Sequence, residues 1–353
     1  MGERYLPSLR RMKKFDRVAL GQTFGYQITN YNIPEAWTHS QGEGVTVAVL
    51  DIGCWVQHDD LQDRFAPYVW NVVDNSNNVN DPDGHGTHVC GTIAANNNSF
   101  GVSGIAPKCK LMPIKVLHDE GWGYDHHIAR GIDLALANNA DVINMSLGGP
   151  TESPEIHAAI KRAYALNVPV VCAAGNAGDV GQVEFPARYN EAIAVGAIDR
   201  NNVRAWFSNT GIGLDFVAPG VDIVSTIGGN VYQSYSGTSM ATPWVSGVIA
   251  LMLSKHRLHG GSTPVDTVEQ IREHLKWTCI DLEGGGHDVT TGFGLIDANK
   301  LFMVNDQPEP SDLDEPDPIA ILEEKIAELE KALAKQRAVI APPNPMRKGY
   351  IEG

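Results

Sequence analysis

The chain has 353 residues, 43% of them hydrophobic and 20% charged, with a formal net charge of −15. Such a length suits one large domain or two ordinary ones with a sizeable core, and the composition excludes a chain that is disordered throughout. No run approaches the roughly 20 apolar residues of a membrane helix, and the negative charge argues against nucleic acid as a main partner, because backbone phosphates would be repelled.

The charge is unevenly distributed. Residues 1–20 carry six basic and two acidic side chains, net +4, and residues 308–353 carry six basic and ten acidic, net −4, which leaves −15 on residues 21–307. A basic arm therefore precedes an acidic body, and the two should attract. No apolar run of about 7–15 residues follows the positive charges of the arm, so no secretory leader is expected. The five cysteines (Cys54, Cys90, Cys109, Cys172, Cys279) are odd in number and scattered, without CxxC spacing. They read as reduced structural thiols. Together these features predict a cytoplasmic protein.

From 45 to about 301 the chain alternates strand-like and helix-like segments. Residues 45–50 (VTVAVL) form a continuous apolar run of the kind buried on both faces of a sheet. Similar runs follow at 111–117, 142–147, 168–174 and 192–198. Between them, 128–137 has helical spacing, and Ser153 followed by Pro154 predicts the start of a helix running towards Leu166. Strand–helix–strand alternation predicts an α/β fold, a mostly parallel sheet with helices on both faces. In such folds the active site lies beyond the carboxyl ends of the strands. The ends to inspect are Asp51, 146–149 and 174–176.

The composition then changes. Residues 305–318 hold six acids, four prolines and no base, and read as an extended linker. Ile319, Leu322, Ile326, Leu329 and Leu333 follow at coiled-coil-like spacing within 319–340. Homo-oligomerisation, docking on the body, and a solitary helix are all open roles for it. Residues 341–353 read as a tail.

Four short segments carry chemistry. These are 49–53 (VLDIG), 83–89 (DGHGTHV), 172–178 (CAAGNAG) and 237–243 (GTSMATP). A serine hydroxyl is a poor nucleophile at neutral pH. It needs an imidazole to take its proton and a buried carboxylate to fix that imidazole's tautomer. The chain order Asp, His, Ser separates this set from the α/β-hydrolases and from the chymotrypsin type, and Ala241 breaks the GxSxG nucleophile elbow. An amide at a strand end, Asn176, can donate to a developing oxyanion.

These segments, together with VINMSLGG at 142–149, resemble those of the subtilisin-like serine proteases (subtilases), in family order over about residues 21–301. The resemblance implies a three-layer subtilisin-like fold with a C-terminal helical extension. It implies a serine endopeptidase acting on peptides or proteins, with Asp51, His85 and Ser239 as the triad and Asn176 as oxyanion donor. His85 rather than His88 is the base, and His88 is structural. Ser146, Leu147 and Gly148 would pair with the substrate backbone like an added strand. Ala173, Ala174 and Gly175 would wall the pocket for P1, the residue before the cleaved bond. A catalytically silent binding module would be expected to lack one of the four catalytic residues, and an esterase has no need of the 146–148 edge. Labelling of Ser239 separates enzyme from scaffold.

Within the subtilases the chain is most similar to the intracellular subtilisins. Cys54 lies three residues after Asp51 as in that group, whose short N-terminal extension blocks the active site. Tyr5-Leu6-Pro7 is similar to that group's proline-containing motif. Residues 1–20 are thus either an inhibitory pro-segment or a disordered basic tail. The peptidase domain would span 21–304.

Residues 95–102 (ANNNSFGV) resemble the family's calcium loop. That likeness implies Ca²⁺ held by Asn98 through its side chain, by Asn96, Phe100 and Val102 through carbonyls, and by Asp60 and Gln22. All are oxygen donors, as Ca²⁺ requires; the alternative is a polar asparagine-rich turn. His85-x-x-His88 and the His126–His127 pair lack a third ligand for zinc. Glu184, two positions before Phe185-Pro186, is either turned into the P1 pocket, where it favours Lys or Arg, or exposed, leaving P1 apolar. Trp122 and Tyr124 would lie near the wall of P4, three residues before P1, or serve packing alone. The effect of Trp244, where the family often has His, is left open.

Overall fold

A computed structural model describes residues 3–6, 10–16, 21–178, 182–259 and 265–303. The expected linker, coiled-coil helix and tail at 305–353 lie outside the described residues, as does Pro7. All described residues belong to the first of the two units into which the chain divides, Met1–Asn305 and Asp306–Gly353.

In chain order the strands are β1 (Glu3–Tyr5), β2 (Arg10–Asp16), β3 (Thr46–Asp51), β4 (Trp70–Asn71), β5 (Lys110–Lys115), β6 (Trp122–Tyr124) and β7 (Val142–Met145). They continue with β8 (Val170–Ala173), β9 (Ala192–Ile198), β10 (Phe216–Pro219), β11 (Ile223–Ile227), β12 (Val231–Ser236), β13 (Cys279–Ile280) and β14 (Leu295–Ile296). The helices are α1 (Tyr26–Thr29), α2 (Ile33–Ala36), α3 (His85–Ala94), α4 (Asp125–Ala137), α5 (Pro154–Ala165), α6 (Thr238–His259) and α7 (Val268–Thr278).

Nine strands form one sheet in the order β13-β14-β10-β9-β8-β7-β3-β5-β4. Every pairing in it is parallel except β13 with β14. The apolar runs explain this. β7, β8 and β9 are buried along their whole length, which requires cover on both faces of the sheet. Helices α3 and α6 pack on one another, as do α4 and α5, and the result is the expected three-layer α/β fold. Ser153 caps α5 through a bond from Ile156 N to its side chain, with Pro154 at the first helical position.

β8, β7 and β3 are neighbours, so Ala173, Met145 and Asp51 end side by side at one edge. Two further sheets involve the basic arm. β1 pairs antiparallel with β6, and β2 joins the β11–β12 hairpin antiparallel through β12. The described parts of the arm are thus two strands, Glu3–Tyr5 and Arg10–Asp16.

Candidate active site

Asp51 is the last residue of β3, and His85 opens α3. Their approach depends on Gly86: a Cβ there would lie 2.0 Å from the Gly53 carbonyl oxygen and 3.1 Å from Asp51 Oδ1. With no side chain in the way, His85 Nδ1 meets Asp51 Oδ1 at 2.8 Å, and both residues are fully buried. The Ile52 N–H also donates to Asp51 Oδ1, at 2.8 Å. Burial alone would lower the His85 pKa. The attraction and hydrogen bond of Asp51, reinforced by Asp83 and Asp81, outweigh it and hold the pKa above its ordinary value. Since Nδ1 faces a carboxylate, it carries the hydrogen and Nε2 is the acceptor nitrogen. Nε2 has no hydrogen-bond partner among the described residues.

Asp81 anchors the turn into α3. Its buried carboxylate accepts from Gly84 N, Thr87 N and Thr87 Oγ1 at 2.8, 2.8 and 2.6 Å. His88 has a different role. Its Nε2 lies 3.0 Å from both the Ile223 and Gln233 carbonyls, and its ring stacks on Tyr235. Burial pushes its pKa down from 6.5 to about 3, so it stays neutral. His88 is a packed structural histidine, as expected.

Ser239 is the second residue of α6 and is fully buried. Proline at 243 lies inside that helix. It has no N–H to give the carbonyl four residues back, which is that of Ser239. Ser146 Oγ supplies the missing bond, donating to the Ser239 carbonyl at 2.9 Å. Asn144 Nδ2 donates in turn to Ser146 Oγ, and Ser246 Oγ to Asn144 Oδ1. The Ser239 hydroxyl itself donates to the Ser146 carbonyl at 3.2 Å rather than to His85. The Ser239–His85 hydrogen bond expected of a triad is thus not made in this arrangement, as is common without substrate. Asn176 Oδ1 accepts from Thr238 N and Thr238 Oγ1, both at 2.8 Å, which fixes the direction of its donor edge.

The groove beside these residues has two edges. Gly148 forms one and β6 the other, and β1 runs between them. Tyr5 N donates to Gly148 O at 3.2 Å, Gly148 N to Tyr5 O at 3.1 Å, and Leu6 N to Gly121 O at 2.8 Å. Arg4 is paired with Asp125 at 2.9 Å, and Arg11 with Asp83. The attraction expected between basic arm and acidic body takes this form. Trp122 stacks on His118 and pairs in register with Tyr5.

Ala173 and Ala174 are buried where β8 ends, and Glu184 N donates to Ala174 O at 3.0 Å. The Glu184 side chain is half-buried and lies across two glycines. A Cβ at Gly148 would be 3.0 Å from its Oε2, and one at Gly175 would be 2.8 Å from its carboxyl carbon. Glu184 thus turns between the 146–148 edge and the 173–175 wall. Leu147 is buried beneath that edge. Trp244 is fully buried, donates to the Gln27 carbonyl, and belongs to the core.

The 96–102 loop wraps the buried Asp60. Asn98 Nδ2 and Val102 N donate to the Asp60 carboxylate at 2.6 and 2.9 Å. Gly101 (φ +67°) passes so close that a Cβ would lie 2.4 Å from Asp60 Oδ2. Gln22 Nε2 reaches the Asn96 and Val102 carbonyls at 3.0 and 3.4 Å, and Gly21 bridges Phe100. All six predicted donor residues are therefore gathered by one loop. Amide nitrogens of Gln22 and Asn98 point at the acceptor oxygens a cation would take, and an amide flip exchanges nitrogen for oxygen. The chemistry of the set fits a hard cation. Among the described residues no three His, Cys, Asp or Glu side chains gather as a metal site; this loop offers one carboxylate and otherwise neutral oxygens.

Asp81, Ser246 and Asp125 lie outside the segments singled out in the sequence, and Asn144 and Thr238 lie within them without an individual role. Of the first three only Asp81, three residues before a glycine that precedes a helix, carried a local signal.

The subtilase family model matches residues 42–294. Subtilisin E of Bacillus subtilis is 44% identical over 281 residues, 78% of this chain and 70% of that protein. The subtilisin of Bacillus pumilus is 44% identical over 281 residues, covering 78% and 97%. The intracellular serine protease of Paenibacillus polymyxa is 46% identical over 227 residues, covering 62% and 69%. With these matches over an α/β sheet whose strand ends bring Asp51 to His85 and Ser146 to Ser239, the chain belongs to the subtilase family of serine endopeptidases.

Proposed function

We propose a calcium-clamped endopeptidase of the cytoplasm, made as a zymogen whose N-terminal extension, residues 1–20, is inhibitory, with β1 lying along the substrate groove. The observation that carries the chemistry is the buried Asp51–His85 contact, which leaves His85 Nε2 as an acceptor at the end of the sheet that holds Ser239. Ser239 Oγ attacks the peptide carbonyl while His85 Nε2 takes its proton. Asp51 holds the tautomer and stabilises the imidazolium. Asn176 Nδ2 and the Ser239 N–H, at the start of α6, receive the oxyanion. His85 then protonates the leaving amine, and water resolves the acyl-enzyme by the same route.

A substrate would lie as an extended strand between Gly148 and β6, with its P1 side chain between 173–175 and 146–148. The pairing of β1 with Gly148 and β6 supports this reading: an arm held there would keep a substrate out. Ca²⁺, held by Gln22, Asp60, Asn96, Asn98, Phe100 and Val102, would tie the chain after the arm to the 96–102 loop. It supplies rigidity and takes no part in the reaction. The five cysteines are free thiols, four of them buried, which fits a reducing compartment.

Fluorophosphonate labelling of the full chain tests both halves. Replacing Arg4, Tyr5 and Leu6 together by Gly should speed labelling and peptide hydrolysis at least 10-fold, about 1.4 kcal/mol of arm binding. Ser239→Ala should abolish both. Absence of Ser239 labelling in the arm variant would sink the triad reading. Equal rates with the native arm would sink latency alone.

A further inference from the structure

We propose that this endopeptidase selects an arginine at P4, the fourth residue before the cleaved bond, and that Asp125 makes the selection. The inference rests on the reading above that β1 lies along the substrate path. β1 is then a record, in the chain's own residues, of what each subsite accepts.

The register sets the position. Tyr5 and Gly148 face each other antiparallel and exchange both backbone hydrogen bonds. A substrate continuing in that register sets the residue two beyond Tyr5's position opposite Ser146. The Ser146 carbonyl is the group that the Ser239 hydroxyl touches, so the reacting carbonyl belongs there. Arg4, paired with Gly123 on β6, therefore stands three residues before P1, which is P4.

The side chains alternate as a strand requires. Tyr5 points outward and is half exposed, whereas Arg4 is fully buried. A buried guanidinium needs its charge matched by a counter-charge. Here Nε donates to Asp125 Oδ1 at 2.9 Å and Nη1 to the Thr151 carbonyl, while Nη2 has no hydrogen-bond partner among the described residues. Asp125 opens α4 and its side chain is only 13% exposed, so water does little to screen the pair. The two acceptors lie in different directions, one for Nε and one for Nη1. A lysine ammonium reaches the same place as a point charge and cannot reproduce that fork. The expectation that Trp122 and Tyr124 narrow P4 by bulk is thereby refined. β6 supplies one wall, and the recess beyond it takes a long cation.

The test uses the full chain carrying Arg4→Gly, Tyr5→Gly and Leu6→Gly, so that the arm no longer fills the recess. Fluorogenic peptides differing only at P4 (Arg, Lys, Ala, Glu) are compared by kcat/KM. Arg should exceed Ala by about 10- to 100-fold, the scale of a charge-assisted hydrogen-bond pair, with Lys between them and Glu lowest. Adding Asp125→Asn should bring the Arg/Ala ratio close to one; Asp125→Ser serves if that variant does not fold. A merely structural Asp125 would lower both peptides together and keep the ratio. A ratio near one before Asp125 is altered, or one unchanged afterwards, overturns the proposal. A background chain that neither hydrolyses peptide nor labels at Ser239 shows instead that the peptidase reading has failed, and the subsite proposal falls with it.

Discussion

Glu184 shows what a single residue can decide. Its carboxyl group lies against Gly148 and Gly175, the two surfaces between which a P1 side chain would enter. A carboxylate there rewards a cation and penalises an apolar side chain, whose burial would strip water from the charge. We expect P1 Lys or Arg to exceed Leu by about 10-fold in kcat/KM, a modest figure because Glu184 is only half-buried. Glu184→Ala should reverse the order. A peptide panel with no gain for basic P1, and no response to the substitution, would refute this. The position was legible in the sequence from the neighbouring Phe185-Pro186. Its direction was not, because that depends on Gly148 and Gly175, in the segments that follow β7 and β8.

The first turns of α6 illustrate an element completed by another. Proline at 243 leaves the Ser239 carbonyl without its helical donor, and Ser146 Oγ fills the place. The GTSMATP and SLG segments are thus joined by this bond and by the one from the Ser239 hydroxyl to the Ser146 carbonyl, which together seat Ser239. Ser146→Ala should leave a buried acceptor unmet and cost about 1–3 kcal/mol in urea unfolding. It should also lower kcat more than it raises KM, since Ser239 loses its seat while the 146–148 backbone remains. Unchanged stability and kcat would show the bond to be dispensable. The elements themselves were largely legible. The runs at 45–50 and 192–198 became β3 and β9 within a residue, because strands buried on both faces must be apolar throughout. β7 and β8 proved shorter than their apolar runs, the chain leaving the sheet after Met145 and entering it only at Val170. β1 was not legible as a strand at all. Edge pairing, not its own composition, orders it.

At the scale of the molecule, the start of the body just after the arm meets the 96–102 loop. Gln22 follows directly on the arm and reaches across to the 96–102 loop. A cation there would cross-link the start of the body to its centre. If free Ca²⁺ exceeds its dissociation constant about 1,000-fold, it adds about 4 kcal/mol, which is about 10 °C in Tm for a domain of this size. A chelator should therefore lower Tm by about 10 °C in the native chain and by much less in Asp60→Ala. No chelator effect in the native chain would reduce the loop to an asparagine-rich turn. The uneven charge also finds its expression at this scale, since Arg4 and Arg11 each close on an acid of the body, Asp125 and Asp83.

The sequence by itself determined the strand alternation, the catalytic residue types and their order, and the oxygen-only loop. Each of these is written in a short window, where apolar period, turn chemistry and functional groups sit side by side. Only the tertiary structure decided the path of β1, the placement of Glu184 against Gly148 and Gly175, and the burial of Arg4. The first and last depend on partners more than a hundred residues away, as in the pairing of Arg4 with Asp125 across 121 positions. No local pattern encodes such a pairing, because an edge strand takes its geometry from the edges it meets and a buried charge from the counter-charge the fold brings to it.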